Sequence, residues 1–233
     1  MTAVAIIPAR GGSRRLPRKN IADFLGRPIL AYTVAAAIES GCFARVVVST
    51  EDDEIAEVAS QVSAVVDRRP PELATHEAGL VDVCLDFLKR EEREGRRWQT
   101  MACLYATAPL RNAQDIRDTV ALLESDRCGF AMAVTSYDRY PHQALKFEPG
   151  ATLTPMWPDI VTKRGSDLPP LRAGNGSTYA VDVAEFRKHR SFYGPNLRGH
   201  DMPRERSVDI DTRDDLDFAI WIASKSGLGS NAR

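Results

Sequence analysis

The alternation of short apolar runs with helical segments is the feature that most restricts how this chain can fold. Ala3 to Pro8 is a continuous apolar run, and Ala44 to Thr50 (ARVVVST) is a second run, rich in β-branched residues. Between them, Pro28 to Ser40 predicts a helix with proline at its first position and Gly41 closing it. Strands that are apolar on both faces and separated by helices are typical of a parallel sheet covered by helices.

The same alternation continues along most of the chain. Hydrophobic periodicity predicts further helices at about 52–61, 78–94, 113–124 and 214–224, and further strands at 64–66, 101–105, 129–135, 178–183 and 207–210. With 233 residues and 43% hydrophobic content, the chain can bury one large core. We therefore expect a single α/β domain over residues 1–226, with a mostly parallel sheet, and a flexible tail at 227–233.

Residues 137–173 interrupt the alternation. Six prolines lie between Arg139 and Arg172, a density that is incompatible with a regular helix or a central strand. We interpret this segment as an excursion from the sheet, which could be a lid, a small β subdomain or a dimer arm.

Charge and cysteine content narrow the function classes. Acidic and basic residues number 32 and 31, for a formal net charge of -1, which argues against general adhesion to nucleic acid or to an anionic membrane. No apolar run of about 18 residues and no signal-like N-terminus is present, so we expect a soluble, cytoplasmic protein. The four cysteines are widely spaced and form no CxxC pair, which predicts buried, reduced thiols.

A basic loop containing two glycines follows the first predicted strand. Five cations and no acidic residue lie between Arg10 and Lys19. Because open parallel sheets bind ligands beyond the carboxyl ends of their strands, a nucleotide is expected at this loop. Gly11 and Gly12 are expected to permit positive φ and close approach of backbone amides to an anion, while Arg10 and Lys19 bind phosphate oxygens. A solvated basic turn is the alternative.

The loop matches neither of two common nucleotide-binding patterns. The dinucleotide-binding GxGxxG and the P-loop GxxxxGK[ST] are both absent, so hydride transfer and P-loop ATP hydrolysis are disfavoured. RNA binding finds little support because aromatic residues make up 7% of the chain and none lies between Arg10 and Asp23.

An acidic segment, SVDIDTRDDLD, lies near the end of the chain. Asp209 and Asp211 flank Ile210, so on an extended segment both carboxylates would point to one side. Two carboxylates suit Mg²⁺, which commonly binds one or two carboxylates, waters and substrate phosphates. Together with a basic phosphate site, they suggest metal-assisted phosphoryl or nucleotidyl transfer. Capping of the last helix by Asp211 or Thr212 is the alternative, and we assign the three later aspartates to that helix.

Five motifs, taken in order, resemble one enzyme family over essentially the whole chain. They are IIPARGGSRRLPRKNI, RPPELA, YATAPLR, GNGSTY and SVDIDT, and they resemble the cytidylyltransferases that activate nine-carbon α-keto acid sugars: CMP-sialic acid synthetases and their pseudaminic and legionaminic acid relatives. The resemblance implies a Rossmann-like nucleotide-diphospho-sugar transferase fold. It also implies CTP and a nonulosonic acid as substrates, CMP-sugar and pyrophosphate as products, Mg²⁺ as cofactor and a homodimer formed through the arm.

The resemblance also implies roles for individual residues. The expected catalytic residues are Arg10, Lys19 and Asp211, and the expected metal ligands are Asp209 and Asp211. The expected nucleotide contacts are Ala9, Arg10, Gly11, Gly12, Ser13, Lys19, Asn20, Arg69 and Thr107. The expected sugar contacts are Tyr105, Arg172, Asn175, Gly176, Phe192 and Tyr193, with Arg172 facing the sugar carboxylate.

Departures from the family pattern leave the acceptor open. Tyr105 stands where the sialic acid enzymes commonly have glutamine, and YATAP and KRGSDLPP are closer to the pseudaminic acid enzymes, whereas GNGSTY resembles the sialic and legionaminic type. His76 lies in a segment that is Ser/Thr-rich in the family, and we interpret it as a solvent-facing loop residue. The alternatives are a noncatalytic module that senses CTP or CMP-sugar, without need of Asp209 and Asp211, and a cytidylyltransferase for another keto sugar acid such as KDO.

Overall fold

The computed structural model describes residues 2–124 and 128–225. Across these residues seven strands form one sheet: β1 (Ala3–Pro8), β2 (Arg45–Thr50), β3 (Val65–Arg68), β4 (Thr100–Leu104), β5 (Phe130–Ser136), β6 (Arg172–Asp182) and β7 (Arg198–Asp201). The helices are α1 (Ile29–Ser40), α2 (Asp53–Gln61), α3 (Leu80–Arg93), α4 (Ala113–Ala121), α5 (Val183–His189) and α6 (Arg213–Lys225).

The sheet is mostly parallel, as the sequence predicts. Its strand order is β7-β5-β6-β4-β1-β2-β3. Every neighbouring pair is parallel except the two that contain β6, which runs antiparallel to both β4 and β5. The carboxyl ends of the six parallel strands therefore lie at one edge, and β6 begins at that edge.

Helices cover both faces of the sheet because successive strand residues point to opposite sides. In β1, Ala5 and Ile7 pack with residues of α1, α2 and α4. The alternate residues Val4 and Ile6 pack with residues of α3 and α5 on the other face. All four side chains are fully buried, which explains why the strand reads as a continuous apolar run.

The first helix begins and ends as its sequence signals indicate, within one residue. Pro28 immediately precedes α1 instead of occupying its first position. Gly41 ends the helix with a φ of 67°, in the left-handed region that glycine adopts without steric cost.

The proline-rich excursion contains a small β structure, which was one of the three interpretations. Strand Leu145–Glu148 pairs antiparallel with Thr152–Pro155, separate from the main sheet. Phe147 and Leu153 on this ribbon are 77% and 53% exposed. We call residues 137–171 the arm.

Several predictions for the last third of the chain need correction. The predicted strand at Ser207–Ile210 is wrong, because these residues do not form a strand. Ile210 makes a single backbone bond to the segment after β4, from its N–H to the Thr107 carbonyl (2.9 Å). Two elements, β7 and α5, were not predicted, and β6 begins six residues earlier than expected. The tail predicted at 227–233 lies outside the described residues.

Two global properties are also visible. All four cysteines are free, three of them buried and Cys42 half-buried. Within residues 2–124 and 128–225, none of the helices is both long and apolar enough to cross a lipid bilayer.

Candidate active site

A cavity of about 210 Å³ lies at the carboxyl edge of the sheet, where open α/β sheets bind ligands. Loops that follow β1, β3 and β4 bring its side chains together. It is lined by Pro8, Arg10, Lys19, Asn20, Arg69, Ala78, Leu80, Val83, Tyr105, Ala106 and Thr107. Five of the predicted nucleotide contacts are in that set: Arg10, Lys19, Asn20, Arg69 and Thr107.

The basic loop is held in shape by its own polar groups. The buried side chain of Asn20 donates from Nδ2 to the Arg10 carbonyl (2.9 Å), which ties the end of the loop to its beginning. Ser13 N–H donates to the Gly11 carbonyl (3.0 Å). Ala9 is fully buried, and its N–H donates to the Ser49 carbonyl (3.0 Å).

The glycines act differently from the expectation. Neither Gly11 nor Gly12 has a positive φ, and the left-handed residue of the loop is Arg18, at 55°. A Cβ on Gly11 would lie 2.4 Å from Asp52 Oδ2, so Gly11 is required by the close approach of that carboxylate. Its N–H donates to Glu51 Oε1 (2.8 Å), so the Gly11 amide is held by a carboxylate.

The cations of the loop have different partners. Arg18 donates to Asp52 Oδ1 and Oδ2 and to Glu54, at the start of α2. Lys19 turns the other way, with Nζ 2.7 Å from Asp211 Oδ1. Arg15 Nη2 lies 2.6 Å from the other oxygen of Asp211. The structure thus brings the basic loop and the acidic segment, 192 residues apart, into direct contact.

Arg10 contacts the loop that precedes α3. Its Nη2 lies 3.2 Å from His76 Nδ1, and its Nη1 donates to the Thr75 carbonyl at 3.4 Å. His76 is exposed, as the sequence indicated, yet it touches a predicted phosphate ligand. Its position beside Arg10 was not anticipated, because nothing in the sequence pattern joins residues 66 positions apart.

The two predicted metal ligands have different surroundings. Asp209 accepts a hydrogen bond from Thr107 Oγ1 (2.6 Å). Its carboxylate also packs on Gly176, where a Cβ would lie 2.9 Å from Oδ2 and φ is 68°. Burial raises the pKa of Asp209, and the negative charge of Asp211 adds to the increase.

The pKa of Asp211 moves the other way. Burial acts to raise it, but the bond and charge of Lys19, together with Arg15, outweigh burial and hold the pKa below its ordinary value. Asp211 is therefore ionised at neutral pH, and its negative charge lies close to Asp209, whose pKa is raised.

Capping of α6 is achieved by residues that follow Asp211. Asp215 Oδ2 accepts from the Thr212 N–H (2.8 Å) and the Asp211 N–H (3.1 Å). Thr212 Oγ1 in turn accepts from the Asp215 N–H (3.3 Å), which forms a reciprocal cap. The alternative of capping thus applies to Thr212 and Asp215, and the Asp211 carboxylate binds Lys19 and Arg15.

Arg69 is a buried cation that donates hydrogen bonds to backbone carbonyls. It is 7% exposed, and its Nη2 donates to the Ser49 carbonyl while Nη1 donates to the Leu73 carbonyl (3.5 Å). Burial lowers its pKa, and the negative charge of Glu51 partly offsets that decrease.

Of the predicted sugar contacts, Tyr105 lines the cavity and stacks in a row of aromatic rings. Its ring centroid lies 5.5 Å from that of Tyr179, which lies 5.3 Å from that of Phe192. Phe192 is 5% exposed and packs on Phe186 in the core, so it lies beneath Tyr179. Tyr179 was not among the predicted site residues, although it ends the GNGSTY motif.

Arg172 and Tyr193 line a second cavity of about 490 Å³ across β5, β6 and β7. Arg172 is paired with Asp201 through two bonds of 2.8 Å, from Nε and Nη2. Asn175 is buried and donates to Ser207 Oγ (2.9 Å), while its Oδ1 accepts from the Ser177 N–H (3.1 Å). Asn175 thus supports the irregular start of β6.

A further cavity, of about 500 Å³, lies at the opposite edge of the sheet, next to Gln99 and Asp182. It is larger than the cavity beside Lys19. Its arginines Arg96 and Arg187 are paired with Glu91 and Glu92, and it is remote from the basic loop. We therefore assign the active site to the carboxyl edge.

Comparison with known proteins identifies the family. A family profile described as cytidylyltransferase matches residues 4–191. The chain belongs to the cytidylyltransferase family. It is thus a nucleotidyltransferase by descent, as the resemblance of its motifs predicted.

Curated relatives match this cytidylyltransferase over most of its length. A pseudaminic acid cytidylyltransferase of Campylobacter jejuni is 33% identical, over 94% of this chain and 95% of the relative. A CMP-N,N'-diacetyllegionaminic acid synthase of Legionella pneumophila is 29% identical, over 94% of each chain. An N-acylneuraminate cytidylyltransferase of Streptococcus agalactiae is 30% identical, over 94% of this chain and 53% of the relative.

Solved structures with the same fold confirm the predicted fold class. A structure described as CMP:2-keto-3-deoxy-manno-octonic acid synthetase complexed with CTP superposes on this cytidylyltransferase with a TM-score of 0.71, at 17% identity, over 97% of this chain and all of the other. A 4-diphosphocytidyl-2C-methyl-D-erythritol synthase of Anaerococcus prevotii gives a TM-score of 0.63 at 11% identity, over 96% and 98% of the two chains.

Proposed function

We propose that this cytidylyltransferase transfers CMP from CTP to the anomeric hydroxyl of a nine-carbon α-keto acid sugar, with release of pyrophosphate. The observation that carries the proposal is the 2.7 Å contact between Lys19 Nζ and Asp211 Oδ1, beside the cavity at the carboxyl edge. It joins a set of phosphate-binding cations to a carboxylate that can serve the attacking group. A module that only senses CTP has no need of that carboxylate.

The reaction is an in-line displacement at the α-phosphorus. The C2 hydroxyl oxygen forms the new P–O bond, and the bond from the α-phosphorus to the bridging oxygen breaks, so that pyrophosphate departs with the electron pair. Such a step depends on positioning and charge neutralisation more than on covalent chemistry. Arg10 and Lys19 would bind the phosphate oxygens and stabilise the charge that develops on pyrophosphate.

The hydroxyl proton requires an acceptor, and we assign Asp211 to this role. Its pKa lies below the ordinary value, so the carboxylate is ionised at neutral pH and can accept a proton directly or through water. Asp209 is less suited because its Oδ1 already accepts the bond from Thr107 and its Oδ2 packs on Gly176.

A divalent cation fits the chemistry of these two carboxylates. Asp209 and Asp211 are close enough for the charge of one to raise the pKa of the other, and a cation would relieve that repulsion. The described residues contain no cluster of three or more potential metal ligands, which is compatible with Mg²⁺ held by one or two carboxylates and substrate phosphates. When bound, Mg²⁺ would neutralise phosphate charge. Lys19 and Arg15 would then turn from Asp211 to the phosphates.

The acceptor belongs to the nonulosonic acids, and we propose that it lies between the cavity beside Lys19 and the one lined by Arg172 and Tyr193. Its carboxylate would compete with Asp201 for the Arg172 guanidinium. The relatives are named for pseudaminic, legionaminic and N-acylneuraminic acids, so all three belong in an acceptor panel, with KDO as the alternative.

We further propose a cytoplasmic homodimer. The exposed apolar side chains of the arm support self-association, because contiguous exposed apolar surface is costly in a monomer. The free cysteines support a reducing compartment.

One assay tests the reaction and the acceptor together. The purified protein is incubated with CTP, Mg²⁺ and each acceptor in turn, and both pyrophosphate and CMP-sugar are measured, the latter by mass spectrometry. We expect stoichiometric formation of both with one nonulosonic acid. CTP binding without pyrophosphate release for every acceptor would instead identify a nucleotide-sensing module.

A further inference from the structure

Glu51 is a partly buried carboxylate that the proposed reaction does not use. It follows β2 directly and lies under the basic loop, where its Oε1 accepts the Gly11 N–H (2.8 Å). The second oxygen, Oε2, is inaccessible to solvent and has no hydrogen-bond donor among the described residues. Unsatisfied buried carboxylate oxygens are rare because they lose hydration without replacement.

Arg69 has a buried donor without an acceptor. Its Nε is also inaccessible and lacks an acceptor within the described part of the chain. Glu51 is the carboxylate whose charge acts most strongly on the Arg69 guanidinium. A partly buried anion and a buried cation, each with one polar atom that lacks a partner, thus attract each other without a direct hydrogen bond at the carboxyl end of β2, where Arg69 donates to the Ser49 carbonyl.

The location of the Glu51 carboxylate is energetically unfavourable. A negative charge beneath a site for a polyanion repels that ligand, and a partly buried charge also costs solvation free energy. A neutral acceptor would hold Gly11 without the repulsion. The charge is explained if its task is to hold Arg69.

We propose that Glu51 is a positioning residue that fixes Gly11 and Arg69 relative to each other, and so presets the loop and the buried guanidinium for the triphosphate nucleotide. The inference rests on the proposed function in that CTP is the ligand. Oε1 sets the loop through the Gly11 amide, and the negative charge stabilises the Arg69 guanidinium in the orientation that its bonds to the Ser49 and Leu73 carbonyls define. Glu51 does not touch the reacting atoms.

Three variants test this assignment. Glu51→Gln keeps an oxygen that can accept the Gly11 N–H but removes the charge that attracts Arg69, and Glu51→Ala removes both. Asp53→Asn is the matched control. Asp53 lies two residues after Glu51, its side chain is exposed and pairs with Arg68, and the substitution also removes one negative charge.

The readouts are the dissociation constant of CTP, measured by calorimetry without acceptor, and the separate KM values for CTP and for the sugar. We expect Glu51→Gln to weaken CTP binding about tenfold because it removes the charge that attracts Arg69, and Glu51→Ala to weaken it more because it also removes the acceptor of the Gly11 N–H. The KM for the sugar should stay within about twofold of wild type, and Asp53→Asn should bind CTP normally.

Two results would overturn the inference. One is CTP affinity in Glu51→Gln equal to or higher than that of wild type, the latter because relief of charge repulsion would then be the dominant effect. The other is a parallel rise in both KM values, which a general loss of structure would cause. The calorimetric comparison of variants applies even if wild type releases no pyrophosphate, so failure of the proposed reaction and failure of the Glu51 assignment are separable.

Discussion

Lys19 and Arg18 are adjacent cations with different partners, and their loss should have different consequences. Lys19 reaches Asp211, whereas Arg18 reaches Asp52 and Glu54 at the start of α2. We expect Lys19→Ala to lower kcat several-hundredfold, because one preorganised charge contact contributes about 3 kcal/mol to the transition state. The kcat of Arg18→Met should stay within about threefold of the wild-type value, because the partly exposed ion pairs of Arg18 contribute about 1 kcal/mol or less. Initial rates of pyrophosphate release measure both, and equal losses would contradict the assignment.

Gly11 and Gly12 should also respond differently to the same change. Gly11→Ala places a methyl group 2.4 Å from Asp52 Oδ2, so we expect a loss of about 1–3 kcal/mol in the free energy of unfolding. No described atom lies within 4 Å of a Cβ on Gly12, and its φ is not positive. Gly12→Ala should therefore be neutral or stabilise by up to about 1 kcal/mol. Urea titration of both variants checks the contrast, and a destabilised Gly12→Ala would refute it.

At the scale of residues, the sequence predicted the membership of the site better than its pairings. The position of the basic loop after the first strand was sufficient to place Arg10 and Lys19 at the carboxyl edge, and the resemblance of the motifs added Asp211 to the same site. They could not predict which cation binds which carboxylate, because that depends on the turn of the backbone at Arg18. The contact between Arg10 and His76 depends in the same way on loop geometry.

At the scale of elements, strands of the main sheet that contain runs of apolar residues were predictable, and the one without them was not. The sequence of β7, RGHD, has no apolar side chain, and the strand forms at the sheet edge through backbone bonds to β5. The segment before Asp211 has the opposite property. Its Ile210 is fully buried, which resembles a strand pattern, but only three-dimensional packing reveals that the chain there lacks a neighbouring strand.

One ion pair fastens the turn after β7 to helix α4. Asp115 is 1% exposed and accepts two bonds of 2.8 Å from Arg206. We expect Arg206→Met to lower the free energy of unfolding by about 3 kcal/mol at pH 7, since it leaves a buried carboxylate without its cation. The control is Arg204→Met, which removes an exposed pair with Asp138 and should cost about 1 kcal/mol or less.

The same pair has a pH dependence with a defined sign. Burial acts to raise the pKa of Asp115, but the bonds and charge of Arg206, together with the Asn112 N–H and His200, outweigh burial and leave the pKa below its ordinary value. The stabilisation is therefore complete above the unfolded pKa of about 3.9 and is lost as pH falls through the lower folded pKa. The difference between wild type and Arg206→Met should narrow below about pH 4 in denaturant titrations. A constant difference would show that Arg206 stabilises the turn by packing.

At the scale of the whole molecule, the arm determines the expected assembly. Phe147 and Leu153 are the most exposed apolar side chains on its two-stranded ribbon. We expect the double variant Phe147→Ser, Leu153→Ser to shift the proposed dimer to monomer, because it removes apolar area from the interface. Sedimentation velocity over a range of concentrations measures the shift.

The control for that experiment is another exposed aromatic. Trp221→Ser removes a side chain that is 57% exposed and belongs to α6, a different element from the arm. It should leave the sedimentation coefficient unchanged. A wild-type protein that is monomeric at micromolar concentration would refute the dimer proposal outright.

The direction of β6 affects how such a scaffold can diversify. Because this strand runs against its neighbours, the arm leaves the sheet after Ser136 and returns at Arg172 along the same rim. Insertions, deletions or exchange of the intervening loop would thus leave every central strand in register. Evolution can thus remodel the surface proposed to bind the sugar while the proposed nucleotide site stays constant, which gives this architecture a route to new acceptors without refolding.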